Sequence, residues 1–350
     1  MKAQVLTQYD DYLKADQWVS LQDVPDPKIT KSSDVIVRIG GAGVCRTDLH
    51  IIEGVWRPHM DPSGNSLLPL IMGHENAGWV EAVGKEVEGI KVGDPVIVHP
   101  KISGGTCLAC RRGFDMHGPG KFPGLDCNGG YSDYLCTSER NIVPLPKTLA
   151  PKEVAPYADA GLTAYRAVKK ATRHLLPGER CVVIGAGGLG HIGIQCLKAM
   201  CAADVIVVDI SDASLALAGK IGADKLVKAD GNEVEAVLEL TDGQGAEAVI
   251  DFVGEKGTTL KGLAMTRPMG SYYVVGYGED IRVPTVDLVI TEKNIVGNLV
   301  GTWAELTELM ALADRGLVDL TTVEYRLADA NQALRDLRDG KIHGRAVLIP

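Results

Sequence analysis

The chain reads as an α/β protein of two domains, an all-β lobe followed by a doubly wound parallel sheet. Three observations predict this. A length of 350 residues favours two domains over one. Up to about residue 155, short β-prone runs are cut by glycine and proline. From about residue 160, apolar strands alternate with segments of helical period.

Each element follows from its own stretch. MKAQVLTQYDDYLK, at the start, reads as an edge strand running into a polar loop, without the apolar core or cleavage site of a secretory signal. DVIVRIG from 34, GWVEAVG from 78, DPVIVHP from 94 and YSDYL from 131 are short strands between turns. Residues 101–130 carry glycines and cysteines with almost no apolar periodicity, which predicts an irregular surface excursion. CVVIGAG from 181 is a strand of the fully buried parallel type. GLGHIGIQCLKAM from 188 is a helix, and DVIVVDI from 204 a second strand. SDASLALAGKIGA is a helix that begins at Ser211 or Asp212 and ends at Gly222. AEAVIDFVG, TTLKGLAMTRP and GSYYVVGYG continue the alternation. Beyond about 300, WAELTELMALADRG and DANQALRDLRDGK are amphipathic helices and RAVLIP is a closing strand. This tail is expected to pack back against the first lobe.

Hydrophobic residues make up 45% of the chain and charged residues 23%, the balance of a soluble globular protein. The formal net charge of -9, with no long basic run, argues against a nucleic-acid partner. No apolar stretch has the length of a membrane span. The 8 cysteines are scattered, which suits buried thiols and metal ligands in a cytoplasmic protein better than a disulfide framework. Cys181, Cys196 and Cys201 fall in strand or helix patterns and read as core.

GAGGLG spans 185–190 and contains G-x-G-x-x-G at Gly185, Gly187 and Gly190, with Gly188 and Leu189 between. Alone the motif is weak. Here it directly follows an apolar strand and opens a helix, the context of a dinucleotide fingerprint. The first glycine permits the tight turn, the second lets backbone approach a pyrophosphate, and the third lets helix and strand pack closely. Free N–H groups at the helix start then face an anion. Asp209 ends the next strand, where a carboxylate accepts from a ribose 2′-hydroxyl and repels a 2′-phosphate. Neither Arg nor Lys follows closely, so the prediction is NAD over NADP.

A catalytic zinc takes three protein ligands from thiolate, imidazole or carboxylate and keeps one open position. GVCRTDLH offers Cys45, and GHENAGWV offers His74 between a glycine and Glu75. Asp159, in PYADAGLTAYRAV, precedes the helix that leads into the second domain, where a carboxylate would hold the metal in the cleft beside the cofactor. Taken singly, a buried cysteine or histidine is more often plain core, and Asp159 more often a helix cap. Their joint occurrence with the dinucleotide signature favours the metal.

GVCRTDLH, GHENAGWVEAVG, ADAGLTAYRAV and GAGGLGHIGIQ together resemble the zinc-dependent medium-chain alcohol dehydrogenase family along essentially the whole chain. The resemblance implies a GroES-like catalytic β domain at 1–157 and 300–350, and a Rossmann NAD-binding domain at 158–299. It implies Cys45, His74 and Asp159 as the catalytic zinc ligands, the family's usual third cysteine being replaced by aspartate as in some bacterial and archaeal members. Thr47 is then the hydroxyl that meets the substrate oxygen, His50 the relay base, and Asp48 the carboxylate that orients the zinc histidine. Glu75 lies near the metal as a transient ligand. Arg46 and Arg345 contact the pyrophosphate, and Thr163 sits under the nicotinamide. Val253, Val275, Gly276, Leu299 and Val300 join the glycines in the cofactor site.

Members of the family often carry a second, structural zinc with four ligands in a lobe like 101–130. Cys107 and Cys110 supply a C-x2-C pair here, but Gly104 stands where relatives place Glu or Cys, and Gly118 where they place the last cysteine. His117, Asp115 and Cys127 are irregularly spaced substitutes. An incomplete set predicts free thiols over a filled structural site.

The activity implied is reversible, NAD-dependent oxidation of a primary or secondary alcohol, with the proton leaving through Thr47 and His50. Trp56, in the long stretch IIEGVWRPHMDPSGNSLLPL, with Ile102, Trp303 and Leu299, gives the cleft apolar walls and favours a hydrophobic or aromatic alcohol. Lys101 reads as a solvated strand-end lysine; pointing inward, it would suit a carboxylated or polar substrate. Alternatives are a polyol or amino-alcohol dehydrogenase of the same superfamily, a zinc-free enone or quinone reductase, and a non-enzymatic NAD-binding protein. The stretch from GSYYVVGYG to KNIVGNLVG is the expected interface of a homotetramer or homodimer.

Overall fold

The structure is a computed structural model that describes residues 1–60 and 67–350. It divides into two compact units. The first comprises Met1–Ala160, Thr302–Asp314 and Leu320–Pro350, and the second Gly161–Gly301 and Arg315–Asp319. Part of the long loop read at 51–70, residues 61–66, lies outside the described residues.

The first unit is built around Asp34–Val44, whose sequence DVIVRIGGAGV is buried at all but one position. It pairs antiparallel with Glu75–Val83, Tyr134–Ser138 and Arg345–Ile349. Ile142–Pro144 and Pro95–Val98 extend the sheet on one side, and Thr322–Arg326 on the other, to seven strands. The C-terminal strand thus closes the sheet of the N-terminal lobe, pairing Ala346 with Val44 and Leu348 with Ala42. Val35, Val37, Ile39, Leu49, Met72, Tyr131 and Leu348 lie together in one apolar cluster under this sheet.

Two expectations need correction here. Lys2–Leu6 is not an edge strand: it is central in a three-stranded sheet, between Val19–Asp23 and Leu70–Ile71. Its second partner is only two residues long, too short for periodicity to reveal. The strand expected at 131–135 begins at Tyr134 instead. The preceding backbone is taken by another pairing, with Gly129 N–H donating to Ile71 O and Tyr131 N–H to Met72 O.

The stretch 101–130 is largely irregular, as its composition predicts. It contains a two-residue strand pair, Ile102–Ser103 with Gly120–Lys121, and one helical turn at Leu108–Arg111.

The second unit is a six-stranded sheet with every pairing parallel. Its order is Lys225–Lys228, Asp204–Asp209, Arg180–Ile184, Ala246–Asp251, Thr266–Val274, Asn294–Gly297. The first strand in sequence therefore lies in the middle, and the order reverses beside it, the doubly wound pattern. Arg180–Ile184 is buried along CVVI, as a strand covered by helices on both faces must be. Ser211 caps the helix Asp212–Lys220 by accepting the Ser214 N–H. The edge strand Lys225–Lys228 escaped the sequence reading, because KLVK is short and largely exposed, while Asn294–Gly297 falls in the stretch expected to form the interface.

Candidate active site

Four donors from distant positions meet in the first unit. Cys45, His74, Glu75 and Asp159 each offer a ligand atom, and these atoms lie within 4.8 Å of one another. Cys45 follows the central strand Asp34–Val44 and is the N-cap of the helix Arg46–Ile52. His74 and Glu75 enter the strand Glu75–Val83 that pairs beside it, with Gly43 opposite Glu75. Asp159 follows a short 3-10 turn, Ala155–Ala158. The pairing of Gly43 with Glu75 thus brings Cys45 and His74 to adjoining ends of neighbouring strands.

Asp48 holds the arrangement from behind. Its carboxylate is fully buried, and Oδ2 accepts the Cys45 N–H at 2.8 Å, which caps the helix. Its Oδ1 stands 3.3 Å from His74 Nδ1. On the far side of the ring, His74 Nε2 is 3.4 Å from Asp159 Oδ2, which is itself 4.0 Å from Cys45 Sγ. Neither ring nitrogen makes a well-aligned hydrogen bond, although both are buried. Burial would lower the basicity of His74, but the flanking Asp48 and Asp159 carboxylates overcome it and hold the pKa well above the ordinary imidazole value. A buried thiol, two carboxylates and an imidazole with an unsatisfied nitrogen aimed among them form a donor set that a divalent cation completes. The residues therefore fit zinc.

Glu75 is engaged differently. Its Oε1 accepts the Ala160 N–H at 3.0 Å, and its Oε2 forms a buried ion pair with Arg345. Burial pushes the Glu75 pKa up, while Arg345 pulls against it. Arg345, expected as a pyrophosphate contact, is buried and gives Nη2 to Glu75, while its Nε has no hydrogen-bond partner among the described residues. Arg46 is exposed, and Thr47 and His50 are partly exposed on the same helix. Thr47 Oγ1 stands 3.8 Å from Cys45 Sγ.

Tyr131 is the residue that sequence reasoning missed. It is fully buried, and its hydroxyl hydrogen donates to Asp48 Oδ2 at 2.8 Å, with Gly43 O at 3.2 Å from the same oxygen. Burial and the Asp48 charge raise its pKa well above the usual phenol value, so it stays a donor. A tyrosine in the run GGYSDYL carries no metal-site signal, because its partner lies 83 residues away.

In the second unit the glycine loop takes its expected place after Arg180–Ile184 and before the helix Gly190–Met200. Gly185 has φ +86, and a Cβ there would sit 2.6 Å from Val253 Cγ2. A Cβ at Gly190 would collide with Gly185 O, so the third glycine does permit close packing. Gly187 differs: nothing in the protein lies within 4 Å of where its Cβ would be. The protein's own packing does not require glycine there, whereas close approach of a pyrophosphate to backbone does. Gly188 and Leu189 are partly exposed in the same loop. Asp209 is held at its strand end, Oδ2 accepting the Ala186 N–H and Oδ1 the Ser211 N–H, each at 2.7 Å. Val253, Val275 and Gly276 gather beyond the next strand ends, where Asp251 O accepts the N–H groups of Val275 and Gly276. This loop fits a dinucleotide. Thr163 is buried in the helix Ala160–Ala171, Val300 is partly buried with φ +42, and Leu299 is exposed.

The residues expected to line the substrate site fall as follows. Trp56 packs against the apolar cluster of the first unit, and Ile102 is partly buried in its short strand. Trp303 is partly exposed and donates its indole N–H to Ile142 O at 2.8 Å. Lys101 is not the solvated lysine expected. It is buried with Nζ 3.7 Å from the centre of the Phe122 ring and 3.4 Å from Gly120 O.

A β unit carrying a thiol–imidazole–carboxylate cluster, joined in one chain to a doubly wound nucleotide-type sheet, has the parts of a metal-dependent dehydrogenase. Residues 31–147 match the family model "Alcohol dehydrogenase GroES-like domain", and residues 188–315 match "Zinc-binding dehydrogenase". An NAD-dependent alcohol dehydrogenase of Sulfurisphaera tokodaii is 35% identical over 95% of this chain and 96% of its own. A D-arabinose 1-dehydrogenase (NADP(+)) of Saccharolobus solfataricus is 35% identical over 95% of this chain and 94% of its own. The solved alcohol dehydrogenase of Aeropyrum pernix superimposes with a TM-score of 0.94 at 44% identity, over 100% of both chains. The chain belongs to the zinc-dependent medium-chain alcohol dehydrogenase family.

Proposed function

We propose that this chain is an NAD-dependent, zinc-dependent alcohol dehydrogenase that reversibly oxidises a primary or secondary alcohol to an aldehyde or ketone. The observation that carries this reading is the meeting of Cys45, His74, Glu75 and Asp159 within 4.8 Å. Cys45, His74 and Asp159 would hold the zinc, with Glu75 kept back by Arg345 and the Ala160 N–H. When bound, zinc supplies Lewis acidity toward the substrate oxygen and NAD supplies the hydride acceptor.

The chain's own residues do the rest. Asp48 faces Nδ1 of His74, which leaves Nε2 turned toward Asp159 as the ligating nitrogen. Thr47 Oγ1, beside the thiol, is placed to take the proton of a substrate hydroxyl. His50 lies three positions on along the same helix, hence on the same face, and is partly exposed. It passes that proton to water. Arg345 acts as the anchor of Glu75, and Arg46 remains the candidate for an anion contact.

Identity to relatives does not choose the nucleotide, since the 35% identical relatives include one named for NAD and one for NADP. Asp209 favours NAD, because its fixed carboxylate repels a 2′-phosphate. Lys228, its register partner on the neighbouring strand, is paired with Asp212 at 2.5 Å. The substrate is read as a medium-sized hydrophobic or aromatic alcohol on the apolar character of Trp56, Ile102 and Trp303. A homotetramer or homodimer is supported by the edge strand Asn294–Gly297 and by the neighbouring helix Thr285–Thr291, where Val289 and Ile290 are each 75% exposed. All cysteines are free, which accords with a cytoplasmic setting, and among the described residues no helix is long and apolar enough to cross a membrane.

The test is zinc content with NADH formation across a panel of aliphatic, aromatic, polyol and sugar substrates. Cys45→Ala and Asp159→Ala should lose zinc and turnover together. Undiminished turnover by metal-free protein would overturn the reading, and preference for polyols or sugars would move the substrate class.

A further inference from the structure

We infer that the lobe at 101–121 is metal-free in the native enzyme, and that a clamp of Asp115, Arg140 and Ser103 does the cross-linking that a structural zinc does in this fold. The inference goes beyond the proposed reaction and does not depend on it.

The thiols that remain do not make a zinc site. Cys107 and Cys110 have their sulfurs 3.2 Å apart, and Cys107 Sγ also accepts the Cys110 N–H at 3.4 Å. Two thiolates on a tetrahedral zinc, each about 2.3 Å from the metal, stand about 3.8 Å apart. Among the described residues no third donor joins this pair closely enough to share an ion, neither Asp115, His117 nor Cys127. Gly118 sits where a third ligand would arise, yet the backbone has closed in. A Cβ there would collide with Cys110 Sγ and stand 3.1 Å from Cys107 Sγ. Gly104, where the fourth would arise, is exposed.

The clamp uses what zinc would have replaced. Asp115 is buried, its Oδ1 accepting from Arg140 Nε at 2.9 Å and from the Ser103 hydroxyl, and its Oδ2 from Arg140 Nη2 at 3.2 Å. The same Nη2 donates to Cys110 O at 2.9 Å. One guanidinium therefore ties the C-x2-C turn, the 3-10 turn at Asp115–His117 and the strand Ile102–Ser103 together. Three segments joined at one point is the service a four-ligand metal performs. Three hydrogen bonds, two on Oδ1 and one on Oδ2, commit Asp115 to Arg140 and Ser103 and away from the thiol pair.

Metal analysis of the full enzyme, purified with excess zinc, decides the first half. One zinc per chain is expected, retained by the double variant Cys107→Ser, Cys110→Ser and lost by Cys45→Ser. Two zincs per chain, one lost in the double variant, would overturn this inference and leave the catalytic reading standing. A single zinc that the double variant loses and Cys45→Ser keeps would overturn both. Limited proteolysis decides the second half. Arg140→Met and Asp115→Asn should speed cleavage within the lobe about tenfold or more, the loss of a charge-assisted network. Arg140→Lys should recover part of it, and chelator should leave cleavage of the wild-type lobe unchanged. Chelator-induced cleavage there, or no response to Arg140→Met, refutes the clamp.

Discussion

Replacing Tyr131 with Phe removes one oxygen and leaves the ring that fills the space beneath Gly73. Because the hydroxyl donates to Asp48 Oδ2 at 2.8 Å and both residues are fully buried, no water is at hand to replace it. Loss of a hydrogen bond to a buried charged group costs about 1.5–3 kcal/mol. For a domain of this size that lowers Tm by roughly 3–12 °C. Asp48 keeps the Cys45 N–H as a partner at 2.8 Å, so the helix start persists. What weakens is the orientation of Oδ1 against His74 Nδ1, 3.3 Å away. Loss of such outer contacts to a metal histidine typically lowers metal affinity about 10–100-fold. Competition with a chelator reads the affinity, and thermal melting of the chelated protein reads the stability apart from the metal. If Tyr131 acts through Asp48, adding Tyr131→Phe to Asp48→Asn should cost little more than Asp48→Asn alone. A variant that melts lower yet holds zinc as tightly as wild type would reduce Tyr131 to a core residue and refute the coupling.

Gly187→Ala should fold and melt as wild type, because nothing lies within 4 Å of the new Cβ, yet raise the KM for NAD about tenfold or more; an unchanged KM contradicts the assignment of the loop. Gly190→Ala, by contrast, should be poorly folded, its Cβ colliding with Gly185 O, and a normal melting curve would speak against the packing described. Asp209→Ala should raise the NADP-to-NAD ratio of kcat/KM roughly tenfold or more, and an unaltered ratio would remove Asp209 from nucleotide selection. Burial works to raise the pKa of Asp34, but the N–H groups of Lys31 and Thr30 and the Thr30 hydroxyl outweigh it and hold it below 3.8. Asp34 therefore stabilises the fold above that value and ceases to as pH falls through its lowered folded pKa. Asp34→Asn should flatten that part of the acid-unfolding curve, and superimposable curves would refute it.

The parallel sheet was legible because its central strands carry unbroken apolar runs such as CVVI and VIVV, which burial on both faces demands. The edge Lys225–Lys228 was not, since it is largely exposed and lacks that pressure. In the first unit, Lys2–Leu6 was read as a strand but not as a central one, because a dipeptide partner leaves no pattern. The metal donors could be named only together: Cys45, His74 and Asp159 occur beside a dinucleotide signature and stand at matched positions of a family resemblance, whereas singly each reads as core or cap. The groups that hold them, Tyr131 and Arg345, belong to common residue types whose partners are fixed by the fold alone. Arg345 illustrates the gap: matched position implied a pyrophosphate contact and gave no sign that the buried Glu75 carboxylate also needs this cation within reach.

That need runs through the whole site and explains why glycine surrounds it. Gly43 lies opposite Glu75 in the sheet register, and a Cβ on it would collide with the Glu75 carboxylate. Gly73, at φ +97, turns the chain just before His74, and a Cβ there would strike the Tyr131 ring. The two glycines thus clear room for the anchored carboxylate and for the phenol that braces Asp48. A side chain at either position would leave every ligand in the sequence and still displace it. Gly43→Ala should therefore lower zinc affinity although Gly43 touches no metal, because Glu75 must then leave Arg345 or push the central strand outward. Retention of wild-type zinc affinity and stability by Gly43→Ala would show that the Glu75–Arg345 pair is not what sets the spacing of these strands.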